Sequence, residues 1–306
     1  MRLLCQSGSP IHLRRASVSG HKKNAHPRMM RLRGNLTVHF PAIMGILNIT
    51  PDSFSDGGRY LDPARAVDHA LEMVDAGAAL VDIGGESTRP GALEVPAQEE
   101  LRRVLPVLRA LRPRLQCPIS VDTRKASVAE AALSEGASLI NDVSGLQFDP
   151  AMAGTVARFG AALIVMHMRG TPQTMARMAR YRDVVNEVKS ALERQVACAL
   201  EAGVSRSRII IDPGIGFAKK ASHNIKLLAA LHKLTELNYP VMVGVSRKSF
   251  VKQISGTNSD ELTLGSAAAV AVAVFNRAAI VRVHDVRAMV PVVKMAAALA
   301  GGRVSS

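Results

Sequence analysis

Asn48, the turn Gly84-Gly85-Glu86, Asp122, Asn141, His167, Asp212, the segment Ser246-Arg247-Lys248 and the pair Arg282 and His284 share one feature. Each follows directly on a short apolar run. Their types suit two tasks. Carboxylates and amides hydrogen-bond the polar groups of a ligand, and one carboxylate can accept from two neighbouring N–H groups at once. Guanidinium, ammonium and imidazole groups suit an anionic substrate. Arg282 and His284 flank Val283, so the two-residue period of a strand turns both to one face. Strand-end polar residues also cap the helices that follow, and Asp142 is read that way. Nothing in the pattern calls for a Ser-His-Asp or Cys-His covalent step. Gly214-x-Gly216 is not a dinucleotide loop, since Lys219 takes the third glycine position, and no Walker sequence occurs.

The apolar runs cover residues 43–47, 80–83, 119–121, 138–140, 163–166, 209–211, 241–245 and 280–281. Continuous, often β-branched runs of this length read as parallel strands buried on both faces. Helical stripes stand between them. Asp62-Pro63 opens one, Ala66, Val67, Ala70, Leu71 and Val74 form its face, and Gly77 stops it. Leu101, Val104, Leu105 and Leu108 form another, in which Pro106 predicts a kink. Over 181–203, Val184, Val185, Val188, Leu192, Val196 and Leu200 share one face, and the short Ala-rich stretch 267–275 reads as a buried helix. Strand and helix alternate with right-handed crossovers expected. Eight strands favour an α/β fold of the (β/α)8 TIM-barrel type, a single domain over residues 41–300. Such a barrel gathers all eight strand ends around one mouth.

Four segments then acquire a shared meaning: GILNITPDSFSDGG at 45–58, GGESTRPG at 84–91, DPGIGF at 212–217 and SRKS at 246–249. In this order they resemble the dihydropteroate synthase family, the pterin-binding barrels of folate biosynthesis that sulfonamides inhibit. The resemblance runs from Ile43 to the C-terminal helix. It implies a transferase that joins 6-hydroxymethyl-7,8-dihydropterin diphosphate to p-aminobenzoate, giving 7,8-dihydropteroate and pyrophosphate, with Mg2+ and usually as a homodimer. It also implies roles. Asp212, Asp122 and Asn141 would hold the pterin, with Lys248 beside them. Arg282, His284 and Asn48 would form the anion site, the Asn48 amide oxygen on the metal, with Asp52 or Asp56 as further candidates. Thr88, Arg89, Pro90 and Phe217 would wall the p-aminobenzoate pocket, Thr88 also touching the diphosphate, and Ser246 would border substrate. Lys248, Asp212 and Arg282 are the residues expected to carry catalysis. Pro51 and Gly57-Gly58 suit a closing lid. Departures are few: Ala218 stands where a glycine is common and Ile215 where Phe is frequent, while His167 is read as structural. The rival readings are a methyltransferase acting on methyltetrahydrofolate and a corrinoid, and a non-catalytic pterin-binding protein. The first would not need the second-loop or Ser246-Arg247-Lys248 segments in this form, and the anion site argues against the second.

With 306 residues and 48% apolar content, the chain can bury a large core. No segment forms a clean membrane span. Cys5, Cys117 and Cys198 fit neither a disulfide framework nor a zinc pattern, which points to a reducing compartment and a cytoplasmic protein. The net charge of +14 does not indicate nucleic acid, because eight of the positive charges lie before Phe40, where no acidic residue occurs. Residues 1–40 read as a basic, disordered N-terminal extension. A mitochondrial transit peptide and an upstream start, with translation from Met29 or Met30, are the alternatives weighed. Three Tyr, seven Phe and no Trp leave little to stack on bases.

Overall fold

The structure is a computed structural model that describes residues 28–50 and 63–301. Its strands are β1 (Met29–Arg31), β2 (Thr37–His39), β3 (Ala42–Asn48), β4 (Leu80–Gly84), β5 (Ile119–Asp122), β6 (Leu139–Asp142), β7 (Ala162–Met166), β8 (Ile209–Asp212), β9 (Met242–Gly244) and β10 (Ile280–Val283). Its helices are α1 (Pro63–Asp75), α2 (Ala97–Leu111), α3 (Ala126–Ser134), α4 (Met152–Arg158), α5 (Val184–Glu201), α6 (Ala221–Ala229), α7 (His232–Thr235), α8 (Ser249–Ser255), α9 (Ser259–Phe275) and α10 (Val286–Gly301).

β3 to β10 pair in parallel in the order β8-β7-β6-β5-β4-β3-β10-β9. A parallel bridge between Ile211 and Val241, with Ile211 N donating to the Pro240 carbonyl at 3.0 Å, joins β8 to β9 and nearly closes the ring. Strand alternation sorts the side chains. Met44, Leu80, Leu139, Ile164, Ile210, Met242 and Ile280 pack together as one apolar layer inside the barrel. Ile43, Val81, Ile140, Leu163, Ile211, Val243 and Val281 point outward, into the core shared with the helices. Two residues beyond the inner layer, the same alternation brings Asp82, Asn141, Asp212 and Arg282 to the interior near the strand ends.

Two expectations change in detail. Residues 28–40 are not part of a featureless arm: β1 and β2 form an antiparallel hairpin whose Met30, Leu32 and Val38 bury against the inner apolar layer. Apolar side chains at this two-residue spacing plug the barrel end opposite the mouth, and the extension proper, residues 1–27, lies outside the described residues. α2 runs unbroken through Pro106, which sits on its exposed side. α9 is buried on one side only. Val270, Ala273 and Val274 face the core, while Leu264 and Phe275 remain 71% and 56% exposed. α5 starts as its sequence requires, with the Asp183 carboxylate accepting from Val185 N and Asn186 N.

Candidate active site

Arg282 links neighbouring strand ends at the mouth. Its Nε donates to Asp82 Oδ2 at 2.6 Å and its Nη2 to Asp122 Oδ2 at 3.0 Å. Asn141 Nδ2 donates to the same Asp82 oxygen at 3.0 Å. Four strand ends are thereby tied into one polar network. Asp82 was missed by sequence reading, because it sits inside an apolar run. Its signal was available: a carboxylate two residues after the inward Leu80 must be paired if it is buried. Asp82 Oδ1 and Asn141 Oδ1 are buried with no hydrogen-bond partner among the described residues.

Asp212 is buried, and its Oδ1 accepts from Gly214 N at 2.7 Å. Burial raises its pKa to about 6, against the pull of that backbone bond and of Lys248, Lys219 and Arg282 nearby. Lys248 is lowered to about 8 by burial and by Arg282, with Asp212 and Asp122 opposing. Its Nζ stands 4.2 Å from the Phe217 ring centroid, a cation–π contact that fixes the ammonium beside the sixth loop. Gly216 permits this approach: its φ is +84° and an added Cβ would lie 3.1 Å from Lys248 Cδ. Burial raises Asp122 as well, with Arg282 working against the rise.

Lys219 is a second residue that the motifs did not single out. Its buried Nζ donates to the Phe217 carbonyl at 2.9 Å and the His167 carbonyl at 3.3 Å, and meets His167 Nδ1 at 2.9 Å. It braces the loop that carries Phe217. His167 serves that brace, in line with its structural reading. Asp142 likewise caps a turn, accepting from Ser144 N, Ser144 Oγ and Leu146 N. Ala218 occupies a left-handed φ of +49°, the conformation that explains a glycine at this position.

Ser246 faces His284 rather than open space. Its hydroxyl oxygen accepts from His284 N at 3.3 Å and lies 3.1 Å from Nδ1. Burial, and then Arg282, lowers the His284 pKa to about 3, so the ring is neutral. Nδ1 and the Ser246 hydroxyl share one hydrogen bond, in which Nδ1 accepts when the ring carries its proton on Nε2. Arg247 pairs with Asp285 through both ends of its guanidinium, at 3.0 and 2.6 Å, and its own N donates to the buried Ser266 hydroxyl. Arg89 and Pro90 are exposed and Thr88 half-buried on the second loop, where the Arg89 charge still reaches His284. Asn48 ends β3 beside Gly84, with which it is in register. Asp52, Asp56, Pro51 and Gly57-Gly58 lie outside the described residues.

The pterin-binding enzyme family matches residues 44–284, about four-fifths of the chain. The chain belongs to the dihydropteroate synthase family. It is 47% identical over 258 residues to the dihydropteroate synthase of Synechocystis sp., covering 84% of this chain and 89% of that one. Against the Escherichia coli synthase it is 43% identical over 261 residues, covering 85% and 92%. The Yersinia pestis synthase solved with a sulfonamide drug superposes with a TM-score of 0.85 at 41% identity, covering 89% and 99%. The enzyme is a transferase with dihydropteroate synthase activity in folate biosynthesis. Among its described residues no helix is long and apolar enough to cross a membrane.

Proposed function

We propose that Asp212, Asp122 and Asn141 hold the dihydropterin ring, that Lys248 borders it, and that Arg282, His284 and Asn48 receive its diphosphate. The observation that carries this reading is the Arg282 network, which ties the Asp82, Asp122 and Asn141 strand ends together while Asp212 and Lys248 stay within its electrostatic reach. Solved relatives support the substrates: one Xanthomonas albilineans synthase structure contains 4-aminobenzoic acid and another 7,8-dihydropteroate. Ionised Asp212 accepts from two adjacent pterin N–H groups, and Asn141 Oδ1 adds an acceptor. The C–O bond at the pterin methylene breaks with its electron pair leaving on the diphosphate. The dihydropterin ring spreads the resulting cation, the arylamine nitrogen attacks the methylene, and that nitrogen then loses a proton. Arg282 N–H groups and His284 Nε2–H stabilise the departing charge, so positioning and electrostatics supply the rate. Ser246 contributes by holding the imidazole tautomer. Thr88, Arg89, Pro90 and Phe217 line the p-aminobenzoate side.

Magnesium fits the donor set. Asn48 Oδ1 and Asp122 Oδ2 lie 3.6 and 4.0 Å from where a Cβ would stand on Gly84, so two hard oxygens flank the end of β4. Among the described residues no group of three His, Cys, Asp or Glu side chains clusters, and an ion held by Asn48 would also take oxygens of the diphosphate. When bound it supplies countercharge to the leaving group. With Mg2+, the pterin diphosphate and p-aminobenzoate, the purified chain is expected to release pyrophosphate and form dihydropteroate. Excess EDTA should lower that rate by at least about tenfold, or roughly 1.4 kcal/mol. A rate indifferent to chelation would remove the metal assignment.

The homodimer is proposed through α9 and α10. Residues 262–276 carry no charge, and Phe275, Met295 and Leu299, at 56%, 64% and 64% exposure, share one apolar groove with Ala271 and Val292. Such a face invites a matching apolar surface, and an uncharged patch can meet its own copy across a two-fold axis without repulsion. Sedimentation at about 10 µM should give a dimer. Phe275→Glu with Met295→Glu should give a folded monomer, whereas a monomeric parent chain would end the proposal.

A further inference from the structure

We propose that a buried ion cluster, Glu86–Arg124–Lys125–Glu100, is a clamp that positions the second loop, so that p-aminobenzoate affinity depends on side chains remote from it. The inference rests on the assignment of Thr88, Arg89 and Pro90 to the p-aminobenzoate wall. Glu100, Arg124 and Lys125 are buried, and the Glu86 side chain is only 7% exposed. Lys125 Nζ donates to Glu86 Oε2 at 2.5 Å and to Glu100 Oε2 at 2.7 Å, bridging the end of β4 to α2. Arg124 Nη2 donates to the other Glu86 oxygen at 2.8 Å, while its guanidinium stacks 4.1 Å from the Phe148 ring centroid.

Glu86 also accepts from Val95 N at 3.3 Å, which pins together the two ends of the loop between residues 86 and 95. Arg103 Nη1 adds a bond to the Gly85 carbonyl at 3.0 Å, and Gly91 N reaches the Pro172 carbonyl at 2.9 Å near the loop tip. The loop base is therefore held by charges supplied from α2 and from the start of α3. Arg124 lies two residues beyond Asp122, so the clamp and the Arg282 network share one strand end. Burying four charged groups gives little net stability compared with apolar packing of the same volume. What the cluster does provide is direction. Each Glu86 oxygen has an assigned donor, and a loop rooted at such a carboxylate has one favoured exit from β4.

The test is steady-state kinetics on the full-length enzyme. Lys125→Met alone would leave two carboxylates facing each other, so the main variant is Lys125→Met with Glu100→Gln, which keeps the charge balance. It is expected to raise KM for p-aminobenzoate at least about tenfold. Its kcat and its KM for the pterin diphosphate should stay within about threefold of the parent. Arg124→Gln, which leaves the lysine bridge in place, should raise the same KM by a smaller factor. A parallel loss of kcat and of both affinities would make the cluster merely structural and overturn the proposal. So would an unchanged p-aminobenzoate KM in these variants while Arg89→Ala raises it. If Arg89→Ala and the clamp variants all leave that KM unaltered, the wall assignment itself is wrong.

Discussion

Arg282→Lys is expected to lower kcat/KM for the pterin diphosphate by at least about a hundredfold, roughly 2.7 kcal/mol of transition-state stabilisation, in a protein that still folds. The parent guanidinium uses Nε for Asp82 and Nη2 for Asp122 and still has N–H groups to direct at an anion. A lysine ammonium keeps the charge but cannot span two carboxylates in fixed directions. The loss should be far smaller for binding of the pterin alcohol, which has no diphosphate to hold. Arg282→Met should behave differently: it strands two buried carboxylates, a change that costs about 3–5 kcal/mol in comparable sites, and it should melt early. Adding Asp82→Asn to Arg282→Met should recover much of the melting temperature and none of the activity. Kinetics and thermal denaturation on the three variants separate the two roles. Near-parental turnover in Arg282→Lys, or equal losses for diphosphate and alcohol, would show that Arg282 does not recognise the leaving group.

Asp212→Ala should reduce turnover by more than roughly tenfold, and Asp212→Asn should do so while preserving the bond to Gly214 N. The reason is the charge state. A carboxylate accepts from both pterin donors, whereas an amide presents one acceptor and one donor to the same edge. pH gives an independent handle. Burial raises the Asp212 pKa to about 6, so the carboxyl group is protonated below that pH and its second acceptor is lost. Pterin affinity of the free enzyme should therefore fall as pH drops through about 6, approaching tenfold per unit in the acid limb. Asp212→Asn should be insensitive to pH in that window. An acid limb unchanged in Asp212→Asn would assign the titration to another group.

Much of the candidate site was legible because a parallel barrel imposes a simple grammar. A buried strand must be apolar, so the first polar residue after each run marks where the chain reaches the mouth. Asp122, Asn141, Asp212 and Arg282 were found in this way, and the structure brings them to the interior ends of β5, β6, β8 and β10. Asp82 escaped the same rule, since it precedes Ile83 within its run. Lys219 escaped for another reason: it follows the DPGIGF segment, and only the folded loop brings the His167 and Phe217 carbonyls to its ammonium. Ser246 was identified by position, but its hydroxyl turned out to serve His284.

By itself the sequence determined the eight-stranded barrel and the family, because strand runs, helix stripes and loop motifs are local patterns written at fixed spacing. Pairings between distant side chains carry no such spacing. That Arg282 bonds Asp82 and Asp122 rather than open solvent, that Lys125 stands between Glu86 and Glu100, and that α9 leaves an uncharged apolar face were decided by tertiary structure alone. Which donor meets which acceptor depends on strand register and helix packing, and these are set only when the whole ring assembles.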